Sequence, residues 1–171
     1  MQILTFTVAG APYAIPSRSV IEVLPLVPAR PLPLMPDFVR GIFTYRGRLV
    51  PLIDLGRRFA AVDAAEKRPD RLSTRVIVVE FLAAADEASY PVRLGLVAEN
   101  VVSIRSAEDA DSTTAEMALS HAPFLGRVLR LGGQTVQMIA VERLLPPDLL
   151  AGLFPAPSRP LDAPPEEVPA P

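Results

Sequence analysis

The feature that most constrains the fold of this chain is a series of short strand-like runs, separated by turns that contain glycine or proline. Apolar residues alternate with threonine in residues 4–8, which is the period-two pattern of a half-buried strand. A turn at Gly10 then leads into a second run at residues 13–15, and residues 39–45 and 48–54 flank another glycine turn. Each pair of runs predicts a β-hairpin.

The same pattern continues in the second half of the chain. Residues 75–82 and 91–98 predict a third hairpin across a polar loop, and residues 101–104 predict a further strand. Residues 127–131 and 134–141 flank paired glycines, which suit the turn that strand twist requires. About nine short strands with brief helical pieces predict an all-β sandwich or barrel.

Helical structure is predicted only in short pieces. Ser17 can cap a turn or two of helix over residues 20–24, whose apolar side chains lie on one side at helical spacing. Five prolines in residues 25–36 end any continuation of that helix. Residues 142–145 predict a second helical turn after the last strand.

Three segments lack a strand pattern. Residues 60–74 are polar and alanine-rich, which favours an exposed connection and a subdomain junction. Residues 108–120 are acidic and weakly periodic, and both a mobile loop and a short surface helix stay open for them. Residues 155–171 contain seven prolines and predict an extended, solvated tail, which leaves residues 1–154 as the folded domain.

Composition excludes several classes of function. The net charge is -2 and the arginines are scattered, so no basic stripe for nucleic acid is expected. The chain has no cysteine and a single histidine, His121, and it has no phosphate-binding loop or nucleophile elbow. We therefore expect no metal, no cofactor and no catalytic residues, although an enzyme is the main rival hypothesis by class.

The apolar runs are all short and are interrupted by charge or proline. They fall far below the roughly 20 residues that a membrane-spanning helix needs, so no direct insertion into a membrane is expected. The N-terminus lacks the pattern of a signal peptide. The sequence therefore predicts a cytoplasmic protein.

Residues 36–55 carry a long ordered motif, PDFVRGIFTYRGRLVPLIDL. It resembles the core signature of the CheW-like family, in which P-x-F-hydrophobic-x-G, an R-G turn and V-P-hydrophobic-x-D-L follow in this order. The resemblance extends over roughly residues 1–150 and implies two five-stranded SH3-like barrels. A faint internal repeat, residues 39–55 against 124–144, agrees with two similar subdomains.

The resemblance also implies a function. A CheW-like domain is an adaptor that binds the cytoplasmic tip of a chemoreceptor and the regulatory domain of a CheA-type histidine kinase, without making or breaking bonds. No phosphotransfer or ATP-binding sequence accompanies the domain here, so a free adaptor is implied. Residues 98–100 (Ala-Glu-Asn) and the proline-rich residues 26–34 depart from the family pattern. An adaptor for a non-flagellar system, controlling surface sensing, cyclic-dinucleotide output or pili, is therefore the alternative.

A receptor groove is the first site that the resemblance implies. It would receive an amphipathic helix, with affinity from apolar burial at about 25 cal/mol per Å² before association costs are subtracted. The residues expected to line it are Val20, Glu22, Val23, Val97, Val101 and Ile104. Because period-two apolar residues are buried in any barrel, ordinary core packing is the alternative for the valines.

A hairpin contact with kinase or receptor is the second implied site, at Gly41, Arg46 and Gly47. Glu22 and Arg46 match charged positions of the family signature, and we expect them to pair and hold the Val20 segment against the hairpin turn. Two unconnected surface charges are the alternative, since an exposed pair adds only about 0–1 kcal/mol. For the two glycines a purely structural role is the simpler reading, and Asp54 is expected to cap the turn that follows it.

The proline-rich tail supplies a rival hypothesis of a different class. Residues 155–171 could be the ligand of an SH3-type partner, because such partners bind polyproline segments. Deleting the tail distinguishes a functional element from a spacer. We expect the deletion to leave coupling between receptor and kinase unaltered.

Overall fold

The computed structural model describes residues 1–60, 69–85, 88–107 and 120–155. These residues form nine strands and two short helices. In chain order the elements are β1 (Gln2–Val8), β2 (Ala11–Pro16), β3 (Val20–Pro25), β4 (Val39–Tyr45), β5 (Arg48–Asp54), α1 (Leu55–Phe59), β6 (Thr74–Ala85), β7 (Ala88–Ser106), β8 (Leu125–Leu131), β9 (Gln134–Ile139) and α2 (Pro147–Leu153).

The long strand β7 belongs to two five-stranded groups. Its first half pairs antiparallel with β6 and parallel with β5, which gives a first group in the order β3-β6-β7-β5-β4. Its second half pairs antiparallel with β1, which gives a second group in the order β7-β1-β2-β9-β8. The predicted all-β fold is therefore confirmed. Within the described ranges no ladder closes either group into a ring.

Three apolar clusters lie inside and between the groups. One lies in the first group around Phe43 and Leu52, and one lies in the second group around Leu129 and Met138. The third, which we call the central cluster, combines residues of both groups, including Phe6 and Leu96. The two groups therefore share a continuous apolar layer in addition to a strand.

Strand β6 shows why its sequence is apolar without alternation. Val76 and Val78 pack in the cluster of the first group, whereas Ile77 and Val79 pack in the central cluster on the opposite face. A strand that is covered on both faces buries every residue, so its apolar run is continuous. All four of these side chains are fully buried.

Two glycines of the β4–β5 hairpin are needed for different reasons, one for close packing and one for its backbone conformation. A Cβ on Gly41 would lie 2.1 Å from the carbonyl oxygen of Arg30, because the two backbones are bridged there. The turn residues Arg46 and Gly47 both have positive φ, at 48° and 75°, as a two-residue hairpin turn that follows strand twist requires. The close approach at Gly41 and the positive φ of Gly47 fit the structural roles expected for both glycines. Arg46 also has a positive φ, although it carries a Cβ that disfavours this conformation.

The predicted helix over residues 20–24 was wrong. That segment is strand β3, which pairs with β6, and the only helical structure before it is a 3-10 turn at Ser17–Ser19 without a side-chain cap. The β-branched side chains of Val20 and Val23 suit an edge strand, and pairing with β6 outweighs their helical spacing. Residues 101–104 are also not a separate strand. They belong to β7, which continues past a bulge beside Asn100, whose φ is 47°.

The four predicted hairpins are present as β1–β2, β4–β5, β6–β7 and β8–β9. The last helical turn begins one residue early, at Val141, and helix α2 was not predicted. The sequence repeat also has a structural counterpart. The Asp54 N–H donates to the carbonyl of Phe38 at 2.7 Å, and the Ala140 N–H donates to that of Phe124 at 2.8 Å.

The predicted domain boundaries stay predictions. Residues 61–68, residues 108–119 and residues 156–171 lie outside the described residues, so the tail and the acidic segment are not addressed by the structure. Strands β5 and β6, on either side of residues 60–74, both pair with the first half of β7. This pairing favours a boundary within β7 over one in residues 60–74.

Candidate protein-interaction site

Glu22 joins the two edge strands of the first group. The Tyr45 hydroxyl donates to Glu22 Oε2 at 2.6 Å, and Arg46 Nη2 donates to the same oxygen at 3.1 Å. Strands β3 and β4 stand at opposite ends of the pairing order, so this contact, together with the backbone bridge from Arg30 to Ile42, brings the ends together. The Glu22–Arg46 pair that the sequence suggested is present, and Tyr45 is a third member that was missed.

The electrostatics of this contact are those of a partly exposed site. The Arg46 side chain is 65% exposed and that of Glu22 is 39% exposed, so their ion pair adds only about 0–1 kcal/mol to stability. The Arg46 guanidinium also lies 5.1 Å from the centroid of the Tyr45 ring. The hydrogen bond to the Glu22 carboxylate, with burial adding to it, raises the pKa of Tyr45. The contact therefore orients the exposed guanidinium more than it stabilises the fold.

The six residues of the predicted receptor groove do not lie together. Val97 is 5% exposed and belongs to the apolar cluster of the first group, while Val20 and Val101 pack against the central cluster. Val23 and Ile104 are exposed. Strand β6 separates β3 from β7, so the β3 members and the β7 members are not on adjacent strands. Core packing accounts for Val97, and the single groove stays a prediction that this geometry does not favour.

A second polar cluster surrounds Asp54. Its carboxylate accepts the backbone N–H of Arg57 at 3.0 Å, which confirms the expected cap of α1, and it accepts Arg40 Nε at 2.8 Å. Arg40 also donates twice to Asp70, at 2.8 and 3.2 Å. Burial opposes the charge of Arg40, but these hydrogen bonds outweigh it and the pKa of Arg40 is raised. Only the cap was readable in sequence, because Asp70 is distant along the chain.

Helix α1 carries a contact between the two groups. The Arg58 guanidinium lies 5.1 Å from the Phe38 ring centroid and 4.6 Å from that of Phe124. Its Nε donates to the carbonyl of Leu144 at 2.8 Å. Burial lowers the pKa of Arg58. No local pattern predicts this role, since Phe124 and Leu144 lie 66 and 86 positions from Arg58 along the chain.

No helix in the described ranges is long and apolar enough to cross a membrane. The chain offers instead a compact all-β scaffold, on which a charged hairpin and an edge strand are exposed side by side. Such a scaffold defines a protein-interaction domain.

The chain belongs to the CheW-like domain family, whose sequence profile matches residues 2–147. It is 25% identical over 145 residues to the chemotaxis protein CheW of Treponema pallidum (strain Nichols), covering 84% of this chain and 81% of that one. It is 32% identical over 145 residues to the protein FrzA of Myxococcus xanthus, covering 82% of each. The solved structure of the scaffolding protein TtCheW from Thermoanaerobacter tengcongensis matches with a TM-score of 0.66 and 24% identity, over 85% of this chain and 87% of that one.

Family membership makes the chain an adaptor of a chemotaxis-type signal transduction system, one that couples receptors to a CheA-type kinase. The resemblance seen in residues 36–55 is thereby confirmed at the level of the family.

Proposed function

We propose that the chain works at the cytoplasmic face of a receptor array and without catalysis. It binds the cytoplasmic tip of a chemoreceptor and the regulatory domain of a CheA-type kinase. The observation that carries the proposal is the contact of Glu22 with Tyr45 and Arg46, which fixes the edge strand β3 against the β4–β5 hairpin. We call this contact the edge bridge.

The position of Arg46 supports a role in recognition. A non-glycine residue at φ 48° costs roughly 1–2 kcal/mol, and the exposed ion pair returns at most about 1 kcal/mol. With the contact to the Tyr45 ring, worth about 0.5–1 kcal/mol, these interactions about offset the strain, so stability alone gives no reason for an arginine at this turn. A partner that pairs with the oriented guanidinium supplies the missing reason.

The neighbouring surface offers an apolar anchor that sequence reasoning missed. Leu49, opposite Thr44 on the hairpin, is 67% exposed, and Val23 on β3 is exposed as well. Exposed aliphatic side chains beside an oriented charge suit the anchor-and-rim pattern of protein interfaces. The proposed contact is therefore Glu22, Arg46 and Leu49, with Val23 on the other face of β3, while the close approach of Gly41 to the Arg30 backbone favours a structural role for that glycine.

A binding assay tests this proposal. Purified receptor tips and the kinase regulatory domain from the same organism are captured with the wild-type chain and with Arg46→Glu. We expect the charge reversal to reduce capture of at least one partner by tenfold or more, because it places two carboxylates at the edge bridge where a partner meets a cation.

Arg130→Glu is the matched control. It makes the same charge change on β8 of the second group, at an exposed residue that forms no ion pair with any residue that the structure describes. Thermal melts accompany both variants. Undiminished capture of both partners by a folded Arg46→Glu protein refutes the proposal, and loss of folding assigns Arg46 a structural role.

An adaptor for a non-flagellar system is the second candidate. The match to FrzA covers 82% of the chain, against 84% for the match to the Treponema CheW, and its identity is higher, at 32% against 25%. The same capture assay, run against every receptor tip and kinase regulatory domain of the organism, separates the candidates. Selective capture of a kinase outside the swimming pathway favours the second.

A further inference from the structure

A cavity of about 250 Å³ lies where the two strand groups meet. Tyr13 and Thr7 line it from the second group, Arg40 and Phe59 from the first, and Glu99 from β7. We call it the intergroup cavity. It lies apart from the edge bridge, whose residues do not line it. Its volume is below the roughly 300–1,000 Å³ of sites for drug-sized ligands, so it suits a group the size of one side chain.

The two arginines in the wall are already neutralised. Arg40 is held by Asp54 and Asp70 in three hydrogen bonds between 2.8 and 3.2 Å. Arg57 lies 3.6 Å from Asp54 and donates to the carbonyl of Asp37 at 3.0 Å. A free anion would have to compete with these carboxylates, which makes an anionic ligand a poor fit.

Glu99 is the charged group in the wall that lacks a partner. Its backbone carbonyl accepts the Thr7 hydroxyl, but its half-buried carboxylate has no hydrogen bond or ion pair within the described part of the chain. The cavity wall holds the carboxylates of Asp54, Asp70 and Glu99 against two guanidinium groups, so its formal charge is 2 − 3 = −1. The unpaired charge is therefore negative.

Two aromatic residues also line the cavity, and their rings belong to a stack that Phe6 and Phe124 continue. The ring centroids of Tyr13 and Phe59 are 5.0 Å apart, and both residues line the cavity. The Tyr13 hydroxyl has no hydrogen-bond partner among the described residues, and no buried side-chain atom there is left unsatisfied, so this hydroxyl is accessible. A cavity lined by an unpaired carboxylate, a hydroxyl that can accept a hydrogen bond and apolar carbon suits an organic cation.

We propose that the intergroup cavity binds one organic cation, a guanidinium or alkylammonium group, through the Glu99 carboxylate, with the Tyr13 hydroxyl and the apolar wall at Phe59 completing the site. The cation can come from a small free amine or from a basic side chain of a partner protein. The segment Ala98-Glu99-Asn100, whose departure from the family pattern had no assigned role, thereby acquires one.

Titration of the full-length, isotope-labelled chain tests the proposal by amide chemical shifts at low salt. The probes are N-acetyl-arginine amide, agmatine, and the neutral isostere N-acetyl-citrulline amide. We expect the two cations to shift amides around the cavity, such as Thr7, Thr74 and Ala98, and citrulline to leave them unshifted. Because agmatine carries two positive charges and the arginine amide carries one, a preference for agmatine identifies a free amine as the source only if it persists at about 150 mM salt, whereas stronger binding of the arginine amide identifies a side chain.

Glu99→Gln should weaken both cations by about fivefold or more, since it removes a half-buried ion pair. Glu142→Gln makes the same change at an exposed residue outside the cavity and should have no effect. Equal binding of citrulline, shifts confined to other surfaces, an unaffected Glu99→Gln protein, or the absence of any shift at millimolar probe would each overturn the proposal. The edge bridge and its partner assay stand or fall independently of these results.

Discussion

Replacing Asp54 separates two contributions that one side chain makes. Its Oδ1 caps α1 through the Arg57 N–H, and its Oδ2 neutralises Arg40. Asparagine is as good a cap as aspartate, whereas alanine removes the cap at a cost of about 1 kcal/mol. Asp54→Asn therefore removes the charge alone, and Asp54→Ala removes both contributions.

The charge contribution lies between two limits. Removing one partner of a fully buried pair costs about 3–5 kcal/mol, and breaking an exposed pair costs about 0–1 kcal/mol. The side chains of Arg40 and Asp54 are 19% and 10% exposed, and Arg40 keeps its ion pair with Asp70 when the Asp54 charge is removed. We therefore estimate that losing the Asp54 charge costs about 1–2 kcal/mol of stability. Asp54→Asn should then cost about 1–2 kcal/mol and Asp54→Ala about 2–3 kcal/mol.

Urea unfolding at neutral pH measures both variants, and an unchanged dependence on urea shows that the same surface unfolds. For a chain of this size the alanine variant should melt about 4–12 °C lower. Asp70→Asn is the comparator. Asp70 is 44% exposed, so its loss should cost no more than about 1 kcal/mol. The reasoning is refuted if Asp54→Asn is as costly as Asp54→Ala, or if Asp70→Asn is the more costly of the two amide variants.

Three further predictions concern single contacts. Glu22→Gln should lower the raised pKa of Tyr45 toward the ordinary value of about 10, as ultraviolet titration of tyrosinate measures. In the wild type, stability from that bond is full below the ordinary pKa and is lost as pH rises through the raised one. Gly41→Ala should cost at least about 2 kcal/mol in thermal melts, because its Cβ would collide with the Arg30 carbonyl. Arg58→Met should cost about 1–3 kcal/mol in urea unfolding, because the Leu144 carbonyl loses a charged donor.

Each of these has a comparison that can contradict it. Tyr45→Phe identifies which part of the ultraviolet titration belongs to Tyr45. If the pKa of Tyr45 is unchanged in Glu22→Gln, the Glu22 carboxylate is not what raises it. Gly10→Ala is strained in φ but meets no atom, so it should cost less than Gly41→Ala, and a larger cost would contradict the steric argument. Arg58→Lys keeps a charge without the planar stack, and full rescue by lysine would rule out stacking between Phe38 and Phe124.

Local pattern was enough to predict most strands but not their neighbours. The hairpins at Gly47 and Gly133 follow from turn chemistry next to alternating residues, which are properties of adjacent positions. The pairing of β5 with β7, or of β2 with β9, joins residues more than 40 positions apart. No periodic pattern in a single sequence indicates which of two distant strands will pair. The misassigned β3 shows the same limit, since residues 20–24 fit both a helical and an extended pattern until β6 lies beside them.

The site was predictable to the extent that family motif fixed it. Glu22 and Arg46 came from the family resemblance, Arg46 within the motif and Glu22 ahead of it, and their contact at 3.1 Å agrees with the expected pair. Tyr45 is also in the motif, yet its hydrogen bond to Glu22 requires knowing that β3 and β4 approach each other as opposite ends of one group. Asp70 and Arg58 were not predictable, because each acts on residues that only the fold brings near.

The groups that stabilise the molecule differ from those that the proposed function assigns to partner binding. Asp54 and Arg58 are half-buried or buried and hold α1 between the two strand groups, so their replacement acts on folding. Glu22 and Arg46 contribute at most about 1 kcal/mol, so their replacement acts on surface chemistry. Under the proposed function such a division suits an adaptor, since partner preference would change at the edge bridge while the cluster around Asp54 keeps the fold stable. Variants of the two kinds should therefore differ in kind, with lower melting temperatures for one set and altered capture at normal melting temperature for the other.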